Sequence, residues 1–146
     1  MAVTLRDRAL RLLARREHSR AELQRKLTLH AGAGDDLEGL LDELEREGWL
    51  SERRLIEQVV ASSSGRYGSL RIARELREKG ISGPLAEAAV REARAQDEAS
   101  CRAVWEKKFG RMPRTLAERA RQARFLQSRG FSLEVIGKVL KGLAED

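Results

Sequence analysis

Arg71, Arg74 and Arg77 follow one another at three-residue spacing, and Lys79 closes the run. On a helix that spacing sets the guanidinium groups along one stripe. Such a stripe does no covalent chemistry; it holds phosphates or carboxylates. Arg121, Arg124 and Arg129 form a second set about fifty residues on, and Arg25 and Lys26 a smaller third. Other reactive residue types are few or badly placed for catalysis. Two histidines, His18 and His30, and one cysteine, Cys101, offer no metal-ligand pattern and no internal disulfide. Cys101, Val104, Trp105, Lys108 and Phe109 recur at helical spacing, so Cys101 reads as a small buried hydrophobe.

Asp35 and Asp36 are adjacent acids, but their place before Leu37, Leu40, Leu41 and Leu44 makes them helix caps. The linker Ser62–Gly68 is glycine-containing, yet lacks the spacing and Gly-Lys-Ser/Thr ending of a phosphate loop. No serine comes with a histidine and a glycine elbow at hydrolase spacing. The chain is therefore expected to be neither an enzyme nor a holder of metal or cofactor.

The elements that must position the arginines are short helices. Gly68–Ser82 reads as one, with Leu70, Ile72, Ala73 and Leu76 on a shared face and Gly80 ending it. Its second half, Ala73-Arg-Glu-Leu-Arg-Glu-Lys-Gly-Ile-Ser82, matches Ala123-Arg-Phe-Leu-Gln-Ser-Arg-Gly-Phe-Ser132, and Leu23 and Leu27 mark a weaker copy upstream. A period of about fifty residues carried three times indicates tandem repeats. The units are 1–50, 51–96 and 97–146, each with three helices. The first carries Leu5, Ala9, Leu12 and Leu13 after the cap Thr4, then a Ser19-x-x-Glu22 capping box, then the leucine-rich helix ended by Gly48. Trp49 is expected to plug the seam to the second unit. There, Leu55, Ile56, Val59 and Val60 point inward, as do Leu85, Ala88, Ala89 and Val90 after Pro84. In the third, Leu116, Ala120, Ala123 and Leu126 share a stripe, and Val135, Ile136, Val139, Leu140 and Leu143 form the last apolar face. The fold class is all-α: about nine helices in an elongated array that can curve.

Composition agrees. Hydrophobic residues make up 41% and aromatics only 4%, which suits several small cores rather than one large one. Net charge is +6, concentrated in the second and third units, so the expected partner is acidic. Arg6, Asp7, Arg8 and Arg11 break any leader-like apolar run, and no stretch approaches a bilayer span. A cytoplasmic monomer is expected.

Three stretches in this order, Ala14–Leu27, Gly48-Trp-Leu-Ser-Glu-Arg-Arg-Leu55 and the Gly68-x-x-x-Ile72-x-x-Glu-Leu76-x-x-Lys-Gly-Ile81 run, resemble the bacterial regulatory family RecX. The resemblance covers nearly the whole chain. Where that family usually shows Asp-Asp-x-x-Phe-Ala, this chain has Ser51-Glu-Arg-Arg-Leu-Ile56. The resemblance implies a three-repeat modulator that lies along the groove of the RecA–single-stranded-DNA filament. It would there suppress strand exchange, ATP hydrolysis and co-protease activity, restraining the SOS response. The basic residues named above are the expected contacts, chosen from helical geometry. Two other classes fit three-helix units: a helix-turn-helix reader of duplex DNA, and an adaptor that touches only protein.

Overall fold

In the computed structural model, residues 3–144 are described, and side chains through residue 141. They contain nine α-helices and no strand: α1 (Leu5–Arg15), α2 (Arg20–Thr28), α3 (Leu37–Arg46), α4 (Glu52–Ser63), α5 (Ser69–Glu78), α6 (Pro84–Ala95), α7 (Asp97–Lys108), α8 (Leu116–Ser128) and α9 (Leu133–Ala144). None of them is long and apolar enough to cross a membrane.

Each consecutive triplet closes its own core. Ala9, Leu23, Leu27, Leu41, Leu44 and Leu50 fill the first; Leu55, Ile56, Val59, Ile72, Leu76, Ile81 and Ala86 the second; Cys101, Trp105, Leu126, Phe131, Ile136, Val139 and Leu140 the third. Three small cores in a row leave much surface wet. The chain exposes 9639 Å², against about 7,500 Å² for a compact monomer of its mass, and buries about 60% of its unfolded surface where about 70% is usual. The array is elongated.

Caps start the helices as their sequences demand. Thr4 and Asp7 make a reciprocal capping box, and Ser19, Asp36, Ser51, Thr115 and Ser132 each accept a first-turn backbone N–H. Glycines at φ +83 (Gly48), +76 (Gly80) and +94 (Gly130) end α3, α5 and α8, and Leu50, Ile81 and Phe131 fold back into the cores behind them.

The seams between triplets are mostly polar, and both use the central helices. At the second seam, Gly68 N–H donates to Arg129 O (2.8 Å) and Leu70 N–H to Gly130 O (3.2 Å). The N-terminus of α5 thus sits on the C-terminal carbonyls of α8, each supplying what the other lacks. Gly68 provides no capping side chain, and Asp97, 28 residues beyond Ser69, replaces it. Its carboxylate accepts from Ser69 N–H (2.9 Å) and from the Ser69 hydroxyl. At the first seam, Ser19 Oγ donates to Lys79 O, Arg54 Nε pairs with Glu17 at 2.7 Å, and Arg20 N–H reaches Glu52 at 3.3 Å.

Several side chains depart from the periodicity. Trp49 is 53% exposed and plugs no seam; the backbone turn at Gly48 sends Leu50 inward instead. Leu116 (86% exposed) and Ala120 face out, because the inner face of α8 is completed by Gln122. The Gln122 amide accepts from Trp105 Nε1 at 2.8 Å and donates to Arg111 O at 3.1 Å. On α6, Ala86 is buried while Leu85 and Ala88 are exposed, and Leu70 on α5 is half exposed. Leu143 lies outside the residues whose side chains are described.

The close approach at Gly130 makes a sharp prediction. A Cβ there would lie 2.6 Å from Arg71 Cβ and 2.8 Å from Arg71 N, whereas one at Gly48 meets nothing within 4 Å. Gly48→Ala should cost about 1–2 kcal/mol for its left-handed backbone alone, and Gly130→Ala about 3 kcal/mol or more once the overlap is added. Urea unfolding followed by far-UV circular dichroism measures both; equal losses would show that the seam does not constrain Gly130.

Candidate nucleic-acid interface

A cationic cluster lies beside the second seam. After α4, the turn closed by Arg66 N–H and Tyr67 N–H on Ser63 O (3.0 Å each) delivers Tyr67 to the start of α5. Arg71, on the first turn of α5, lays its guanidinium 3.7 Å from the Tyr67 ring centroid. Arg129, at the end of α8, lies 5.3 Å from the same ring and 5.0 Å from that of Phe125. Lys108 lies 5.1 Å from Phe125, whose ring stands edge-on to Phe109 at 5.5 Å and 88°. Arg66, Tyr67, Lys107, Lys108, Phe125 and Arg129 line a cleft of about 500 Å³. Among the described residues, none of these cations makes an ion pair. Aromatic faces steady the charges without neutralising them, each contact contributing about 0.5–1 kcal/mol at a partly exposed site.

The docking of α5 on α8 brings Arg71 and Arg129 to one ring although 58 residues separate them. Further along α5, Arg74 is exposed and loosely paired with Glu78 at 3.8 Å. Arg77 opens into a groove of about 520 Å³ between α5 and α6, with Arg91 and Arg94 on its other wall. Lys79 is half-buried, and its carbonyl serves the first seam. Arg121 and Arg124 are exposed on α8, and Arg25 on α2. Arg66, Arg91, Arg94, Lys107 and Lys108 are not among the contacts expected from the sequence, because they reach these clefts from turns and neighbouring helices. The adjacency of Arg66 to Tyr67 and the Lys107–Lys108 pair were the available signals.

Lys26 has a different setting from the other cations. His18 is buried, and its Nδ1–H donates to Arg16 O at 3.1 Å. Its Nε2 accepts from Lys26 Nζ at 3.0 Å, which fixes the neutral tautomer. Glu22, four residues after His18, is held by Arg16 at 2.5 Å and approached by Lys26 at 3.5 Å. Burial pushes the His18 pKa down, and the hydrogen bond from Arg16 brings that of Glu22 to about 2. No group of three or more His, Cys, Asp or Glu suited to a metal occurs among the described residues.

Comparison with known proteins gives a consistent result. Residues 51–90 match the family description "RecX, second three-helix domain" and residues 96–140 "RecX, third three-helix domain". The chain is 47% identical to Regulatory protein RecX of Ralstonia nicotianae over 144 residues, covering 96% of this chain and 88% of that one. It is 44% identical to that of Chromobacterium violaceum, covering 98% and 93%. It is also 44% identical to that of Herminiimonas arsenicoxydans, covering 100% and 97%. The crystal structure of RecX from Lactobacillus salivarius shares the fold at a TM-score of 0.79, with 19% identity over 97% of this chain and 96% of that one.

The His18 and Glu22 settings fix the sign of the pH dependence. Both folded-state pKa values lie below their ordinary ones, 6.5 and 4.5, so both stabilise at high pH and the unfolded chain binds protons first on acidification. Stability should begin to fall as pH drops through about 6.5 and fall again between about 4.5 and 2. Urea midpoints from pH 8 to pH 3 measure this, and His18→Gln should flatten the upper step while leaving the lower one.

Proposed function

The chain belongs to the RecX family of regulatory proteins, and from that premise we propose that it regulates RecA by lying on the RecA–single-stranded-DNA filament. There it suppresses strand exchange, ATP hydrolysis and co-protease activity, and so restrains recombinational repair and the SOS response. The observation that carries this reading is the cationic cluster at the second seam. Arg71 and Arg129 flank Tyr67 and Lys107 and Lys108 border the same cleft, with Arg74, Arg121 and Arg124 exposed on the joined helices α5 and α8. Phosphates of an extended strand, or carboxylates along a filament groove, meet several charges at once on such a surface. Each phosphate neutralised makes binding steeper in salt. Suppression needs only occupancy, since a bound array blocks the path of a second strand without reacting with it.

A duplex reader of the helix-turn-helix kind is less well supported. Such readers place the N-terminal turn of the second helix against base edges. Here the N-termini of α2 and α5 are committed to seams, with Ser19, Gly68 and Ser69 all buried.

The test is the single-stranded-DNA-dependent ATPase rate of RecA as this protein is titrated in. Wild type should inhibit. Arg74→Glu/Arg121→Glu/Arg124→Glu and Lys107→Glu/Lys108→Glu, all at exposed positions, should each raise the concentration for half-inhibition by about tenfold or more while keeping the helical spectrum. Inhibition unchanged in both variants would remove the site assignment. Failure of the wild type against active RecA would remove the function.

A further inference from the structure

The first repeat carries a cationic groove that, Lys26 apart, lies outside the contacts assigned to the filament. In the second and third repeats the C-terminal turn of the central helix is covered by the preceding repeat, at Gly80 and Gly130. At the same position after α2 the residue in register is Ala31 rather than glycine. Leu29 stands 82% exposed there. Beside it, α1 and α2 enclose a groove of about 340 Å³ with Leu12 and Leu29 among its apolar lining and Arg8, Arg11, Arg15 and Lys26 at its edges. The three arginines recur at i, i+3 and i+7, so they share one face of α1. Among the described residues none of the three makes an ion pair, although α3 of the same repeat is rich in acids. Those acids are engaged elsewhere: Arg6 with Glu43 and Glu47, and Arg20 with Glu38, Asp42 and Glu45.

We propose that this groove binds an acidic amphipathic segment of a partner protein, with an apolar anchor against Leu12 and Leu29 and carboxylates on Arg8, Arg11, Arg15 and Lys26. Charge argues against a second copy docking as the repeats dock internally. A helix N-terminus carries partial positive charge and would meet four cations. Ala31 also lacks the left-handed turn that admits a neighbouring helix at Gly80 and Gly130. The apolar floor argues against a nucleic-acid backbone, which brings no side chain to fill it. A helix presenting leucines at i, i+3 and i+7 between glutamates supplies both chemistries. The groove stands apart from the seam cluster, so this assignment does not rest on the filament reading.

The experiment is fluorescence anisotropy of the full chain with a fluorescein-labelled 16-residue peptide that carries leucine on one helical face and glutamate on its flanks. Three probes accompany it: the same peptide with serine for leucine, the same with lysine for glutamate, and unlabelled 16-nucleotide oligothymidylate as competitor. The Leu/Glu peptide should bind saturably. Arg8→Glu/Arg11→Glu should weaken it at least tenfold and Leu29→Ser at least threefold, with far-UV spectra unchanged. The serine peptide should bind at least tenfold more weakly and the lysine peptide not at all. Equal binding of the leucine and serine peptides, indifference to the variants, or displacement by oligothymidylate would each overturn the proposal, the last making the groove a nucleic-acid site.

Discussion

Two backbone hydrogen bonds, from Gly68 N–H to Arg129 O and from Leu70 N–H to Gly130 O, hold the architecture of the second seam. They answer a problem that every helix has: four amide protons without partners at one end and four carbonyls at the other. Ordinary proteins solve it with local caps. Here the start of α5 and the end of α8 satisfy one another, aided by Asp97 at Ser69. Opposite ends of the two helix dipoles meet, so electrostatics and hydrogen bonding favour the same arrangement.

This solution dictates two residues. Gly130 must be glycine for its left-handed backbone, and because Arg71 occupies the space a side chain would fill. Gly68 must be glycine at an ordinary φ, since a Cβ would fall 2.4 Å from Gly130 O. The repeated basic-Gly-apolar signature therefore encodes a docking surface as well as a helix stop. In the first repeat the signature lapses to His30-Ala31. Likewise Ser51–Ile56 is used in the first seam through Glu52 and Arg54.

Seams of this kind keep the three cores separate. Each repeat buries its own leucines and isoleucines, so stability is approximately a sum of repeat and seam terms. The functional surface lies where such a join is made. Arg71 meets Gly130 through its Cβ while its guanidinium covers Tyr67, so one side chain both holds the seam and sets the position of a binding charge. Weakening the seam would disperse the charges with it.

Periodicity in the sequence determined the helices, their caps and their grouping in threes, because apolar spacing and capping chemistry act over a few residues. It also marked Arg71, Arg74, Arg121 and Arg124 as stripes on the central helices, though not what lies beside them. Only the tertiary structure decided which apolar residues stay outside: Trp49 and Leu116 fit the pattern of burial but lose their places to Leu50 and to the Trp105–Gln122 hydrogen bond. It alone joined Tyr67, Arg71 and Arg129, and it alone gave Asp97 a helix to cap 28 residues away. The reason is physical: helical period and caps are local, whereas end-to-end docking depends on which backbone groups remain unsatisfied after the local structure has formed.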